Sequence, residues 1–119
     1  MKYLFIEYPK CSTCNKAKKW LENNKIEFED RHIIEKTPTY EELDKWIRVN
    51  SNDIKKFFNT SGLVYRDLNL KEKLDNMTYE EKVELLSSNG MLIKRPLLIG
   101  NNFVLTGFKE KEWKEKLIK

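Results

Sequence analysis

Two cysteines at the point where an apolar run gives way to a helical pattern most constrain how this chain can fold. The apolar run is Tyr3–Ile6, and the cysteines are Cys11 and Cys14, separated by Ser12 and Thr13. Residues 15–24 are rich in helix formers. A strand that turns directly into a helix places the first cysteine at the helix N-terminus, where unpaired backbone N–H groups and the helix dipole favour negative charge. The thiol of Cys11 is therefore predicted to ionise readily, and the thiolate is the reactive form.

The composition predicts a single domain in a reducing compartment. The chain has 119 residues, of which 39% are apolar and 35% charged, and its net charge is +4. No apolar run reaches transmembrane length, and no secretory signal is recognisable, so we expect a cytoplasmic location without a membrane partner. In such a compartment a Cys-x-x-Cys pair is more often redox-active or metal-binding than a structural crosslink.

The positive charge does not indicate nucleic-acid binding. Lysines and glutamates alternate, as in residues 109–112, which is typical of a solvated helix face. Trp20, Trp46 and Trp113 fall at helical spacing and are predicted to be core or half-buried residues. We therefore expect no direct contact with nucleic acid.

The first third of the chain predicts a β-α-β unit. A strand is expected at residues 2–7, a helix at 12–24 and a second strand at 26–33. The helix places Cys14, Ala17 and Leu21 on one face and leaves Lys18 in water. A strand–helix–strand connection of this length implies parallel pairing.

The remainder predicts a block of short helices followed by a β-β-α unit. Capping boxes at Thr39–Glu42 and Thr78–Glu81 begin two helices of the block, which covers residues 34–91. Strands are expected at Pro96–Ile99 and at 103–105, with a final helix at 109–119 after Gly107. This order is the thioredoxin arrangement with a helical insertion. The predicted fold is therefore α/β, one thioredoxin-like domain over residues 1–119 with a mixed four-stranded sheet.

Two separated motifs resemble those of the arsenate reductase (ArsC)/Spx family. They are Tyr8-Pro-Lys-Cys-Ser-Thr-Cys-Asn-Lys-Ala17 and Lys94-Arg-Pro-Leu97, and the likeness extends over nearly the whole chain. The resemblance implies a thioredoxin-like fold with a nucleophilic Cys11. It implies that Arg95 faces Cys11 and steadies an anion or the thiolate, and that the Arg95–Pro96 bond is cis. It also implies a substrate cleft formed by Ser12, Thr13, Asn59, Thr60 and Pro96.

The chain departs from arsenate reductases at three places. Tyr8 stands where that group has Asn before the proline, and Asn59-Thr60 stands where it has an Arg-Thr pair. A further expected arginine is matched by the stretch Gly107-Phe-Lys109. Of three arginines expected around the oxyanion, Arg95 alone is kept, and lysine lacks the bidentate fork of arginine. Efficient arsenate reduction is therefore not expected.

Each candidate residue also has a plain structural interpretation. Cys14 is either a resolving thiol or a buried residue beside Ala17. Asn59-Thr60-Ser61 is either part of the cleft or an ordinary turn. A structural zinc site needs four ligands, and the chain offers two cysteines and His32, so no metal is expected. We expect His32 to be an exposed strand-end residue.

The leading hypothesis is a thiol-dependent oxidoreductase in which Cys11 attacks, Cys14 resolves and Arg95 stabilises charge. Its substrate would be a small thiol, disulfide or oxyanion. No cofactor is expected beyond a thiol donor such as glutathione or thioredoxin, and thioredoxin or glutaredoxin would be the protein partner. The alternative is an Spx-like redox-sensing regulator that binds the RNA polymerase alpha subunit. A third hypothesis is a degenerate member of the family that serves as a partner-binding module.

Overall fold

The structure, a computed structural model, describes residues 2–118. The strands are β1 (Tyr3–Glu7), β2 (Phe28–His32), β3 (Leu97–Ile99) and β4 (Val104–Thr106). The helices are α1 (Ser12–Asn23), α2 (Tyr40–Val49), α3 (Leu63–Asp67), α4 (Leu70–Lys73), α5 (Tyr79–Ser88) and α6 (Glu110–Leu117). Short 3₁₀ turns lie at Ile54–Phe57, Leu74–Asn76 and Gly90–Leu92. Tertiary contacts divide the described chain into two units, one made of residues 2–32 and 95–118 and the other of Ile33–Lys94.

The first unit contains a mixed four-stranded sheet in the order β2-β1-β3-β4. Strand β1 pairs in parallel with β2, and antiparallel with β3, which in turn pairs antiparallel with β4. In the β1–β2 register Tyr3 lies opposite Phe28 and Glu7 opposite His32. The predicted α/β class and the β-α-β and β-β-α order are confirmed.

The core of this unit lies between the sheet and helices α1 and α6. Its buried residues are Phe5, Ala17, Leu21, Leu98, Leu105 and Trp113. The indole N–H of Trp113 donates to the carbonyl oxygen of Gly107 at 3.0 Å, so this large ring is buried without losing its hydrogen bond. Gly107 has a φ of 73°, which explains why a glycine ends the strand before α6.

The second unit is helical, as the sequence predicts. Both capping boxes form: Thr39 accepts from the backbone N–H of Glu42, and Thr78 accepts from that of Glu81. Helices α2 and α5 pack together, and the hydroxyl of Tyr79 donates to a carboxylate oxygen of Asp44 at 2.6 Å. The core of the unit includes Leu43, Trp46, Ile47, Phe57, Phe58, Val83, Leu86 and Ile93.

Element ends differ from the prediction by one or two residues. The second strand begins at Phe28 rather than at residue 26, because the N–H of Ile26 donates to the carbonyl of Leu21 and closes the end of α1. The last helix ends at Leu117. Lys119, which the prediction included, lies outside the described residues.

Candidate redox-active site

The turn between β1 and α1 makes Cys11 the N-cap of the helix. Cys11 has extended backbone angles, φ −89° and ψ 120°, and its sulfur accepts from the N–H of Cys14 at 3.4 Å. Its own N–H donates to the carbonyl of Tyr8 at 2.9 Å, and the side-chain amide of Asn15 donates to the carbonyl of Pro9 at 3.1 Å. A thiol thus occupies the position usually taken by a hydroxyl or carboxylate cap.

The surroundings of Cys11 favour its thiolate. Burial raises the pKa of this half-buried thiol, but hydrogen bonds from the backbone and side chain of Cys14 and the positive charge of Arg95 outweigh that effect. The N–H of Thr13 adds a further donor, and the net pKa is lowered. The sequence prediction of a readily ionised Cys11 therefore has a geometric basis in the first turn of α1.

Cys14 has the opposite character. It is fully buried, and burial is the main reason that its pKa rises to about 12. The backbone N–H of Tyr8 donates to its sulfur, whereas the hydrogen bond with Cys11 and the charge on that neighbour raise the pKa further. Both cysteines are free thiols. Because the two cysteines are three positions apart, within one helical turn, a disulfide can close with little backbone movement.

Arg95 enters the same unit at the start of β3. The Arg95–Pro96 peptide bond is cis, as predicted. The guanidinium carbon lies 5.4 Å from the centre of the Tyr8 ring. Its Nε and Nη1 atoms are buried and have no hydrogen-bond partner within residues 2–118. Leaving this buried guanidinium without partners for these donors costs about 1–3 kcal/mol, so an anionic ligand that accepts from them would bind favourably.

His32 is not the exposed residue that the sequence predicts. It is half-buried at the end of β2, and its ring packs edge-on against Tyr8 with the ring centres 5.8 Å apart. Parallel pairing sets His32 beside Glu7, and that register brings it toward the turn that carries Cys11.

A buried acidic residue was missed by the sequence prediction. Glu7, at the end of β1, is only 4% exposed. Lys18 was predicted to face water. Instead its Nζ atom lies 3.6 Å from Oε2 of Glu7 and 2.7 Å from Oδ2 of Asp30. The available signal was an acidic residue ending an apolar strand four positions before Cys11.

The other predicted site residues fall into different parts of the chain. Ser12 and Thr13 are exposed in the first turn of α1, and Pro96 is buried after Arg95, all in the first unit. Asn59 and Thr60 belong to the second unit, where the N–H of Asn59 donates to the carbonyl of Leu92 at 2.8 Å. Their substrate-binding role stays a prediction.

Two further observations concern other classes of site. Within residues 2–118 no group of three or more His, Cys, Asp or Glu side chains is arranged to hold a metal ion. None of the helices in that range is both long enough and apolar enough to cross a membrane.

Comparison with known proteins gives a consistent result. The model of the ArsC family matches residues 6–116. The uncharacterized protein YusI of Bacillus subtilis (strain 168) is 53% identical over 115 residues, covering 97% of this chain and 98% of that protein. The regulatory protein MgsR of the same organism is 36% identical over 87% of this chain and 81% of its own length. The global transcriptional regulator Spx of Enterococcus faecalis is 30% identical over 87% of this chain and 77% of its own length.

Solved structures that resemble this chain point to the same family. A protein related to the ArsC family from Bacteroides fragilis superposes with a TM-score of 0.92 at 55% identity, covering 97% of both chains. A protein described as a possible arsenate reductase from Streptococcus mutans superposes with a TM-score of 0.85 at 40% identity, covering 94% of this chain and 97% of that one. The fold of this chain is therefore shared with these proteins over nearly its whole length.

Proposed function

We propose, since the chain belongs to the ArsC family, that it is a cytoplasmic thiol-dependent oxidoreductase with Cys11 as nucleophile and Cys14 as resolving thiol. The observation that supports this most strongly is the environment of Cys11. Its pKa is lowered, and the Arg95 guanidinium that contributes to this has two buried N–H donors with no partner within residues 2–118. A thiol that ionises readily, close to a guanidinium with unpaired N–H donors, suits a substrate that carries a negatively charged group next to a reducible sulfur.

In the first step the Cys11 thiolate attacks one sulfur of a disulfide substrate. A new S–S bond joins Cys11 to that half of the substrate, and the other half leaves as a thiolate. Arg95 binds an anionic group of the substrate, such as a carboxylate, and orients the reacting sulfur. The N–H of Cys14, which already donates to the Cys11 sulfur, holds that sulfur at the helix terminus.

In the second step Cys14 loses its proton and attacks the Cys11 sulfur. The mixed S–S bond breaks, the bound half of the substrate leaves as a thiolate, and a Cys11–Cys14 disulfide forms. The protein dithiol has then lost two electrons and the substrate disulfide has gained them. A thiol donor such as glutathione or thioredoxin returns the protein to the dithiol, and the proposed cycle uses no metal or organic cofactor.

A carboxylate-bearing disulfide suits this site better than arsenate. Arg95 is the one arginine that matches the set expected around an arsenate, and Asn59 stands where a second is expected. One guanidinium satisfies a singly charged carboxylate by a bidentate contact, whereas a doubly charged oxyanion needs more positive charge. A glutathione mixed disulfide is thus the preferred test substrate.

The experiment is steady-state turnover of purified protein with thioredoxin or glutathione as the reductant. A glutathione mixed disulfide and arsenate are offered in parallel to the wild type, Cys11→Ser, Cys14→Ser and Arg95→Gln. Arg66→Gln, which removes an exposed arginine from the second unit, is the matched control. We expect turnover of the mixed disulfide that is abolished in Cys11→Ser and unaffected in Arg66→Gln. Full turnover by Cys11→Ser would reject the proposal.

A second candidate function is that of a redox-sensing regulator. Its support is the similarity to relatives named as the transcriptional regulator Spx and the regulatory protein MgsR, together with the free dithiol. In this case oxidation to the Cys11–Cys14 disulfide would change the affinity for a partner, and the alpha subunit of RNA polymerase is the one to test. A pull-down with the C-terminal domain of that polypeptide that shows no binding in either redox state would eliminate this function.

A further inference from the structure

Tyr8 contacts both thiols of the site, although the reaction proposed above gives it no part. Its carbonyl oxygen accepts from the N–H of Cys11 at 2.9 Å, and its own N–H donates to the sulfur of Cys14. The next residue is Pro9, and the residue before a proline is restricted to extended backbone angles. The start of the Tyr8 side chain is therefore held at a fixed place beside the two sulfurs.

The ring of Tyr8 contacts the guanidinium of Arg95. The guanidinium carbon lies over the ring, 5.4 Å from its centre, which is within the distance of about 6 Å at which an aromatic face attracts a cation. Such a contact needs no N–H donor. The Nε and Nη1 atoms of Arg95 are buried and have no hydrogen-bond partner in the described part of the chain. The ring thus stabilises the charge of Arg95 while these two donors stay open to a ligand.

A second ring restrains Tyr8. His32 packs edge-on against it, with the ring centres 5.8 Å apart, and His32 is itself fixed at the end of β2 by the sheet register. Holding the long side chain of Arg95 in one place costs rotamer entropy, which unpaired donors do not offset. The contact with a restrained aromatic ring opposes that loss. Because the charge of Arg95 also lowers the pKa of Cys11, the guanidinium held in this way lies close to the attacking sulfur.

We propose that Tyr8 is the positioning residue for Arg95 and sets the preference of the site for negatively charged disulfides, an inference that rests on the function proposed above. The face of its ring keeps the guanidinium beside Cys11, with Nε and Nη1 open to the anionic group of the substrate. Without the ring the guanidinium turns toward water, and the substrate meets a mobile cation instead of a fixed one. Tyr8 acts through Arg95 and touches no reacting atom of the substrate.

The test compares two chromogenic disulfides that differ in charge. Dithiobis(nitrobenzoate) carries a carboxylate on each half, whereas dithiodipyridine is uncharged at neutral pH. Each is mixed with reduced Cys14→Ser protein, in which Cys11 is the remaining thiol, and stopped flow at fixed pH and ionic strength gives the rate constant for attack. The ratio of the two rate constants reports recognition of the anion, because a change in the fraction of Cys11 thiolate affects both reagents alike. If Cys11 reacts no faster than free glutathione with either reagent, the proposed function fails and the role of Tyr8 fails with it.

In this Cys14→Ser background we expect Arg95→Gln to lower the ratio at least about fivefold, and Tyr8→Leu to lower it by a similar factor. Combining the two should lower it no further than Arg95→Gln alone, because Tyr8 acts through the guanidinium. Tyr3→Leu, which removes another half-buried tyrosine from the same unit, is the matched control and should keep the ratio. A ratio that stays unchanged in Tyr8→Leu overturns the proposal, and so does one that stays unchanged in Arg95→Gln.

Two more variants distinguish attraction of the cation by the ring from mere filling of space, and they keep the test valid if Tyr8→Leu does not fold. Tyr8→Phe keeps the aromatic face and should keep the ratio. Pentafluorophenylalanine in place of Tyr8 keeps the size of the ring but removes the negative face that attracts a cation, so the ratio should fall toward that of Arg95→Gln. Equal ratios in these two variants would show that the ring only fills space and would overturn the proposal.

Discussion

The backbone N–H of Cys14 donates to the sulfur of Cys11 across 3.4 Å, so the first thiol caps the helix that carries the second. This relationship separates the two pKa values. Cys11 receives donors at the helix N-terminus and its pKa is lowered, whereas burial raises the pKa of Cys14 to about 12. The proposed roles of attacking and resolving thiol rest on that difference.

Alkylation kinetics should show the lowered pKa of Cys11 directly. In a Cys14→Ser background, which keeps a hydroxyl at the second position, iodoacetamide should react with a midpoint below the ordinary thiol value of about 8.5. Adding Arg95→Gln should move the midpoint upward, because the guanidinium charge stabilises the thiolate. An unchanged midpoint in that double variant would show that Arg95 exerts no electrostatic effect on the thiol.

We expect Arg95 to contribute to substrate binding rather than to the stability of the folded protein. Arg95→Met removes buried unpaired donors, which cost about 1–3 kcal/mol, and also a ring contact with Tyr8 worth about 0.5–1 kcal/mol. We expect the free energy of unfolding in urea to stay unchanged or to rise by up to about 2 kcal/mol. A clear loss of stability relative to an Arg66→Met control would make the guanidinium structural.

Much of the fold can be predicted from local sequence patterns. Part of the site cannot, because its residues are brought together only by the tertiary structure. Thr39 and Thr78 were found from sequence because a capping box is a local arrangement. Cys11 was found because its environment comes from its own helix terminus. Glu7 was missed because its partners, Lys18 and Asp30, come from two other elements that only the sheet register and helix packing bring together. His32 was placed wrongly for the same reason.

Glu7 should make stability depend on pH in an unusual direction. Its folded-state pKa of about 7 lies above the unperturbed value of about 4.3, so ionisation disfavours the folded state. The stability that neutral Glu7 contributes is fully present below about pH 4 and is lost as the pH rises to about 7. Glu7→Gln, which cannot ionise, should exceed the wild type by about 3–4 kcal/mol above neutral pH and match it below about pH 4.

Urea unfolding of Glu7→Gln and wild type at a series of pH values measures this difference, with Glu29→Gln as the control. A difference that is the same at every pH would show that Glu7 does not change protonation over this range in the folded protein.

The cap of α5 should support the second unit by a local contact. Thr78→Ala removes the oxygen that accepts from the N–H of Glu81 at 3.1 Å and should cost about 1 kcal/mol in unfolding free energy. Thr78→Ser keeps the oxygen and should stay close to the wild type. Equal losses in both variants would attribute the effect to the methyl group rather than to the cap.

Trapping the mixed disulfide shows whether Cys11 attacks and Cys14 resolves. Reduced protein is treated with oxidised glutathione, quenched in acid, and examined by intact mass and peptide mapping. We expect Cys14→Ser to accumulate glutathione on Cys11, the wild type to accumulate the Cys11–Cys14 disulfide, and Cys11→Ser to remain unmodified. Glutathione bound to Cys14 in Cys11→Ser, or a wild type that keeps its adduct without forming the internal disulfide, would contradict these roles.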